Sequence, residues 1–306
     1  MANAVELLDV SKVFGAHVAV NAVTLAVPEG SVYGFIGPNG SGKTTTLRMI
    51  SRIYLPSRGT VRVLGETDQG PSNDFVGYLP EERGLYNQMK VGELLRFYAQ
   101  IKSYNPTRAE ITQWLERVEL AAYENQRVRT LSKGMSQKLQ FVATAISKPK
   151  LLLLDEPFSG LDPVNAVVLR DLVADLRSQG ATIIFSTHDM RLAEEMCDFI
   201  FMIYKGNKVL DGTLTQIRQT YGRDVLRVRL HGRQLDGSLD LPGVQSIDDL
   251  GNVQELRLRA GADTQVILRK LLEFGTIDQF ELTSPSLQDI FVRIAAPEKE
   301  AIATLG

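Results

Sequence analysis

The fold class is decided by the segment Gly37-Pro-Asn-Gly-Ser-Gly-Lys-Thr44, in which four residues separate the first glycine from Gly-Lys-Thr. The apolar stretch Ser31–Ile36 predicts a β-strand before it, and a helix is expected from Lys43 to about Ile53. Glycines between a strand and a helix let backbone N–H groups point at a phosphate, and the helix N-terminus adds positive potential. The segment therefore predicts a phosphate-binding loop in an α/β fold.

The residues of this loop have separate expected roles. Lys43 is expected to bridge the β- and γ-phosphates of a nucleotide, and the Thr44 hydroxyl to bind Mg²⁺. An ordinary glycine-rich turn is the alternative, which the flanking strand and helix disfavour. The predicted nucleotide-binding residues here are Gly37, Pro38, Asn39, Gly40, Ser41, Gly42, Lys43, Thr44 and Thr45.

Two acids follow a second apolar run, Leu151–Leu154, which we interpret as a strand buried on both faces of a parallel sheet. Ligands collect at the carboxyl ends of such strands. Asp155 is therefore a candidate Mg²⁺ ligand, and Glu156 is a candidate to orient and polarise the attacking water. The alternative is that both acids only cap the next loop.

His188 follows another apolar strand, Thr182–Phe185, in the sequence Ser-Thr-His-Asp. A neutral imidazole there could contact a γ-phosphate or a water molecule. A lone histidine is more often structural, so this assignment depends on the other motifs.

Composition limits the possible partners. The 306 residues include 34 basic and 36 acidic ones, a net charge of −2 that gives no general attraction to nucleic acid, and no nucleic-acid partner is expected. No apolar run approaches the roughly 20 residues of a membrane span, so a membrane role would need a partner protein. The single cysteine, Cys197, excludes an intrachain disulfide and suits a reducing cytosol. The N-terminus does not have the pattern of a signal peptide.

The chain is expected to contain two domains. Residues 91–146 are predicted to be mainly helical, with Thr107 and Glu110 as a capping box. After about residue 215 the pattern changes to a small α+β unit. The predicted elements of that unit are strands at Val225–Leu230, Val244–Ile247, Val253–Leu258 and Thr276–Leu282, and helices at Asp263–Phe274 and from Ser284 to about Ile294.

The segment Leu131-Ser-Lys-Gly-Met-Ser-Gln-Lys138 resembles the signature loop of ABC ATPases. Lys133 and Met135 depart from the usual glycine and glutamine, whereas Ser132 and Gly134 keep the residues that contact phosphate in that family. Without the other motifs this segment would indicate only a helix N-cap.

Further motifs follow in the ABC order along residues 5 to about 215. Phe14 resembles the aromatic residue that stacks on adenine, and Tyr78–Glu81 resembles the Q-loop. Ser159–Asp162 resembles the D-loop, so Asp162 is a predicted nucleotide-site residue, and His188 resembles the H-loop histidine. Residues 215–295 resemble, less specifically, the accessory domain on ATPases of ABC-2-type exporters, including sodium and drug exporters.

The resemblance implies an ABC-type P-loop NTPase core, with a mixed sheet that has a parallel RecA-like part and a helical subdomain at about residues 87–146. The core spans residues 1–215, an accessory α+β domain spans 216–296, and 297–306 form a tail. It implies ATP hydrolysis with ATP and Mg²⁺ as cofactors, and catalytic roles for Lys43, Glu156 and His188.

The resemblance also implies partners. Two copies would form a homodimer that sandwiches ATP head to tail, with Ser132 and Gly134 acting on the nucleotide of the other copy. A groove near Gly84–Lys90 would receive a helix of an ABC-2-type transmembrane permease at the cytoplasmic face of the membrane; Leu85 and Tyr86 could equally be core residues.

Glu81 departs from the family pattern, because it replaces the Q-loop glutamine. Its carboxylate could still bind Mg²⁺ or water, and it is a predicted metal and nucleotide-site residue. It adds negative charge beside the γ-phosphate, which Arg83 could offset.

Two other functions stay open. The main rival is a soluble ABC protein of translation or DNA repair, although those of translation usually carry two cassettes and this chain has one phosphate loop. Another phosphate-loop enzyme, such as a kinase, is opposed by the signature segment and His188.

Overall fold

The fold is that of a computed structural model, which describes residues 2–67, 73–82, 84–221, 224–235, 240–249, 251–259 and 261–294. The chain divides into two compact units, Met1–Thr213 and Leu214–Gly306. Arg83 and the predicted tail, 297–306, lie outside the described residues.

The first unit is an α/β structure. Its strands are β1 (Asn3–Phe14), β2 (His17–Pro28), β3 (Val32–Ile36), β4 (Arg58–Val63), β5 (Glu66–Thr67), β6 (Val76–Leu79), β7 (Leu151–Asp155), β8 (Thr182–Thr187), β9 (Phe199–Tyr204) and β10 (Asn207–Thr213). Its helices are α1 (Lys43–Ile50), α2 (Val91–Ile101), α3 (Arg108–Arg117), α4 (Lys133–Ala145), α5 (Pro163–Ser178) and α6 (Met190–Met196). Short 3₁₀ turns stand at Asn73–Phe75, Ala121–Tyr123 and Val128–Thr130.

A six-stranded sheet in the order β10-β9-β3-β8-β7-β6 forms the centre of this unit. The strands from β9 to β6 are parallel and only β10 is antiparallel. Leu151 and Leu153 on β7 pack in one core cluster, and Leu152 and Leu154 pack in the other. The continuous apolar run is thus confirmed as a strand buried on both faces, where each leucine contributes about 1.5–3 kcal/mol.

Strands β1 and β2 form a long antiparallel hairpin, whereas the sequence pattern predicts only short strands at Val5–Leu8 and Ala22–Val27. Several register shifts interrupt the pairing, so the period-two alternation that marks a strand breaks along its length. The sheet continues through β4 to β5. Strands β9 and β10 were not predicted at all.

The helical part lies between β6 and β7 and consists of α2, α3 and α4. The predicted capping box is confirmed, because Thr107 Oγ1 accepts from the Glu110 N–H at 3.2 Å and Glu110 Oε2 accepts from the Thr107 N–H at 2.9 Å. Ile111, Trp114 and Leu115 are the buried residues of α3.

The second unit contains α7 (Leu214–Tyr221), β11 (Val225–Leu230), β12 (Val244–Asp249), β13 (Gln254–Leu258), α8 (Thr264–Phe274) and β14 (Ile277–Thr283). Its antiparallel sheet has the order β12-β13-β11-β14, and Ile267 and Leu271 of α8 pack in its core. Residues 287–294 are helical, within the segment predicted for a last helix.

Candidate functional site

The phosphate loop lies between the end of β3 and the start of α1, as predicted. Gly37, Gly40 and Gly42 have φ values of +151°, +76° and +113°, which residues other than glycine rarely adopt. A Cβ on Gly37 would stand 2.2 Å from the Ile203 carbonyl oxygen, and a Cβ on Gly42 would stand 2.6 Å from the Ala19 carbonyl oxygen. These two glycines are therefore required for the loop to fold against its neighbours.

A cavity of about 450 Å³ opens over this loop. It brings together predicted site residues from four separate parts of the sequence. Its lining consists of Phe14, His17, Ala19, Asn39, Gly40, Ser41, Gly42, Lys43, Thr44, Thr45, Glu81 and Glu156.

Lys43 is nearly buried, and its ammonium group is held by backbone oxygens. Nζ donates to the Gly37 carbonyl at 2.7 Å and to the Pro38 carbonyl at 3.1 Å, and it lies 3.7 Å from Glu156 Oε1. Burial lowers the pKa of Lys43, and the carboxylates of Glu156 and Asp155 oppose that shift. The ammonium group is thus a partly desolvated cation at the wall of the cavity, well suited to a phosphate.

Asp155 is fully buried at the end of β7, and three hydroxyl groups surround its carboxylate. Thr44 Oγ1 donates to Oδ1 at 3.1 Å, and Ser186 Oγ donates to the same oxygen at 2.6 Å. The Tyr78 hydroxyl lies 3.5 Å from Oδ2. The predicted pair of Thr44 and Asp155, which are far apart in sequence, therefore meets at one point.

Glu156 adopts φ of +49°, an uncommon conformation for a residue with a side chain. Its N–H donates to Ser186 Oγ at 2.8 Å, which fixes the backbone there. Nδ1 of His188 lies 3.2 and 3.1 Å from its two carboxylate oxygens. An imidazole that donates through Nδ1 leaves Nε2 as an acceptor, directed by the glutamate.

Phe14 is 42% exposed, at the edge of the cavity. Its ring packs edge-on against Tyr54 at a centroid distance of 5.4 Å, and Lys12 Nζ lies 5.1 Å from its centroid. A supported aromatic ring that is still partly open to solvent is suited to stacking on a planar base.

The signature and D-loop residues lie elsewhere. Ser132 caps α4 by accepting from the Met135 N–H at 3.2 Å, and Asp162 caps α5 by accepting from the Asn165 N–H at 2.9 Å. A Cβ on Gly134 would meet the Asn165 amide at 3.3 Å. In the described part of the chain, Ser132, Gly134 and Asp162 do not line the phosphate-loop cavity.

Beside the cavity, the segment after β6 borders a second groove of about 430 Å³. Leu85 lines this groove and also packs against the core. Tyr86 is 55% exposed and packs edge-on against Phe97.

Several residues of the site were not predicted. Ser186 joins Asp155 to the Glu156 backbone, and its signal was a polar residue at the end of an apolar strand. The Tyr78 hydroxyl and His17 also gave no separate signal. Gln137 and Gln140 on α4 bind backbone oxygens of the loops after β7 and β6, contacts between distant segments that sequence alone could not predict.

The described residues include neither a metal site built from protein side chains alone nor a membrane-spanning helix. No group of three or more His, Cys, Asp or Glu side chains there could hold a metal ion by itself. None of the helices in the described ranges has the length and apolar character required to cross a membrane.

Comparison with known families gives two matches, which do not overlap along the chain. Residues 20–159 match the ABC transporter family, and residues 212–295 match the C-terminal domain of DrrA1-3-like ATP-binding proteins.

Individual relatives agree with these matches. An uncharacterized ABC transporter ATP-binding protein, YhaQ of Bacillus subtilis (strain 168), is 39% identical and the alignment covers 92% of this chain and 95% of YhaQ. The daunorubicin/doxorubicin resistance ATP-binding protein DrrA of Streptomyces peucetius is 33% identical over 76% of this chain and 72% of its own. A solved ATP-binding subunit of an ABC transporter superposes with a TM-score of 0.66 at 32% identity, covering 71% of this chain and 93% of that subunit. The chain therefore belongs to the family of ABC transporter ATP-binding proteins, which are ATPases.

Proposed function

We propose that this ATPase powers an ABC-2-type exporter by acting on a separate transmembrane permease. The observation that carries the proposal is the C-terminal match at residues 212–295 to the domain named after DrrA. Two relatives aligned along most of the chain point the same way: DrrA itself, and the Nod factor export ATP-binding protein I of Rhizobium sp. (strain N33), which is 30% identical over 97% of this chain.

The reaction is hydrolysis of ATP, with the phosphates seated in the loop at residues 37–45. Lys43 would leave the Gly37 and Pro38 carbonyls, 2.7 and 3.1 Å away, and donate to the β- and γ-phosphates. Glu156 would accept a hydrogen bond from the attacking water and orient it toward the γ-phosphorus. His188, whose Nδ1 meets both oxygens of Glu156, would keep that carboxylate in place and accept a hydrogen bond through Nε2 from a water molecule beside the γ-phosphate.

The residues present fit a triphosphate. Ser41 Oγ is buried and has no hydrogen-bond partner among the described residues, an arrangement that costs stability unless a ligand supplies the partner. It stands in the glycine-rich turn of the cavity, where a phosphate oxygen would accept its hydrogen bond.

Mg²⁺ fits the same edge of the sheet. The Thr44 hydroxyl and Asp155 carboxylate are 3.1 Å apart, and hard oxygen donors together with phosphates and water are the usual Mg²⁺ environment. Glu81, on the cavity wall, is the third proposed metal-site residue. When bound, the ion would neutralise charge that develops on the phosphate oxygens.

The working unit is proposed to be a homodimer with two sandwiched ATP molecules. Ser132, Gly134 and Asp162 do not line their own chain's cavity within the described residues, and Ser132 is exposed. A second copy placed head to tail would bring these residues to the γ-phosphate and complete each site, so binding of ATP would join two surfaces and hydrolysis would release them.

The permease is proposed to dock at the groove beside Leu85. The ATPase would then lie at the cytoplasmic face of the membrane. No nucleic-acid partner is proposed. The experiment is co-expression of the tagged chain with the candidate ABC-2-type permease of its gene neighbourhood, followed by purification in detergent. Stoichiometric co-purification and permease-stimulated ATPase activity support the proposal. Co-sedimentation with ribosomes, without retention of the permease, would favour the translation-factor alternative.

A further inference from the structure

Gln140 is a buried polar residue whose contacts are unrelated to helix stability. It lies two turns after Ser132 on α4 and is 6% exposed. Its Nε2 lies 3.4 Å from the Pro80 carbonyl oxygen and 3.3 Å from the Glu82 carbonyl oxygen. These two carbonyls belong to the residues on either side of Glu81, so one amide group holds the backbone on both sides of that carboxylate.

The orientation of this amide follows from its neighbours. Both backbone groups beside Nε2 are acceptors, and only the NH₂ end of a glutamine side chain can donate to them. The opposite end, Oε1, is buried without a partner among the described residues. The side chain therefore acts as a two-pronged donor to the loop, at the cost of an unsatisfied acceptor, which marks it as more than a packing residue.

Glu81 is the residue whose two neighbours make this contact. It lines the phosphate-loop cavity together with Lys43 and Glu156, so its charge lies close to where phosphates bind. Gln140 itself lines the neighbouring groove with Tyr78, Pro80 and Leu85. One side chain thus contacts both the wall of the groove and the backbone that carries Glu81.

We propose that Gln140 is a positioning residue that holds the Glu81 carboxylate at the phosphate cavity. There the carboxylate weakens the binding of nucleotide without Mg²⁺ and strengthens the binding of nucleotide with Mg²⁺. Loss of the two hydrogen bonds frees the loop, and the negative charge is then averaged over positions farther from the phosphates. This role of Gln140 rests on the proposed nucleotide and Mg²⁺ site and is independent of the exporter assignment.

The test is equilibrium titration of the full-length protein with a fluorescent ATP analogue, once with Mg²⁺ and once in EDTA at equal ionic strength. In the Gln140→Met protein we expect affinity in EDTA to rise about threefold, the scale of one charge interaction at high effective dielectric. Affinity with Mg²⁺ should stay equal or fall, so the Mg²⁺-to-EDTA affinity ratio decreases. A merely structural role would weaken both.

Two controls make the result specific. In a Glu81→Gln background the Gln140→Met change should leave the ratio unaltered, because no charge remains to be positioned. Gln100→Met makes the same substitution at an exposed position of α2 that lines neither the phosphate-loop cavity nor the neighbouring groove in the described structure, and it should also leave the ratio unaltered.

Gln140→Leu, which removes both donors without adding a charge, must reproduce the decrease and guards against a Met variant that folds poorly. An unchanged ratio in a cooperatively melting Gln140 variant overturns the proposal. So does an equal decrease in the Glu81→Gln background. Failure of permease binding, in contrast, would leave these titrations as they are.

Discussion

Two helices of the ATPase unit begin at segments predicted to meet phosphate, and they differ in almost every other respect. The start of α1 is a left-handed Gly42 with no side-chain cap, surrounded by buried Lys43, Asp155 and Glu156. The start of α4 is capped by its own Ser132, which is exposed together with Lys133. One helix start has the proposed catalytic groups around it, whereas the other presents an exposed serine and an exposed lysine to solvent.

The two helix starts therefore have different proposed roles. The groups that would polarise water and hold a metal are fixed to the ends of β7 and β8 in one chain, with hydrogen bonds of 2.6–3.2 Å among Thr44, Asp155, Glu156, Ser186 and His188. The start of α4 lies outside that cavity within the described chain. We therefore expect variants at the start of α1 to abolish ATP hydrolysis at the site of their own chain. Variants at the start of α4 should affect hydrolysis only at the site of the other copy in a dimer.

Lys43→Ala should have the largest effect. The variant removes the cation at the phosphate-loop wall, so hydrolysis should fall by about 10²-fold or more and ATP binding should weaken. Steady-state phosphate release and nucleotide titration measure the two effects. Release close to the wild-type rate would contradict the assignment of the loop.

Glu156→Gln should reduce hydrolysis by about 10²–10⁴-fold, the usual contribution of a general base, while ATP binding is kept. Binding survives because Lys43 and Asp155 are intact. The variant should accumulate as an ATP-bound dimer, seen by light scattering with Mg-ATP. Normal turnover by this variant would move the catalytic role to another residue.

The comparison is sharpest in a mixture of two inactive proteins. Ser132→Arg should inactivate the nucleotide site that contains the phosphate loop of the other copy. Lys43→Ala should inactivate the site that contains its own phosphate loop. In a mixed dimer one site carries both defects and the other carries none, so activity should return to roughly half of the wild-type value per mixed dimer. Phosphate release after co-refolding or co-expression measures this. No recovery in a mixture shown to contain mixed dimers would argue against sharing of sites between copies.

Local patterns predicted the phosphate loop, the run Leu151–Leu154 and the capping box at Thr107, because each depends on a few neighbouring residues. The hairpin of β1 and β2 was only partly predicted, since its bulges disturb the alternation on which strand prediction relies. The role of Ser186 and the contacts of Gln140 could not be predicted. Each depends on which distant carbonyl or carboxylate the tertiary fold places beside a polar side chain.

Substitutions of Glu81 should give the smallest effect. They test whether the loop between the phosphate-loop cavity and the groove beside Leu85 contributes to ATP hydrolysis. Glu81→Gln should keep ATPase activity within about tenfold of wild type, a barrier change of roughly 1.4 kcal/mol or less, because an amide oxygen can also ligate metal or water. Glu81→Ala should lose more, mainly the stimulation by the membrane partner, since no ligand remains for the docked helix to push toward Mg²⁺.

The measurement is ATPase activity of both variants with and without the permease in detergent or nanodiscs. Glu81 is exposed, so a bland alternative is a solvated surface charge worth under about 1 kcal/mol. Glu82 is also exposed, and Glu82→Ala is the matched control, because Glu82 follows Glu81 directly and does not line the phosphate-loop cavity in the described structure. If the permease stimulates Glu81→Ala as fully as wild type, Glu81 is only a surface charge. Loss of stimulation in Glu81→Ala but not in Glu82→Ala assigns the response to the permease to Glu81, which lines the cavity whereas Glu82 does not.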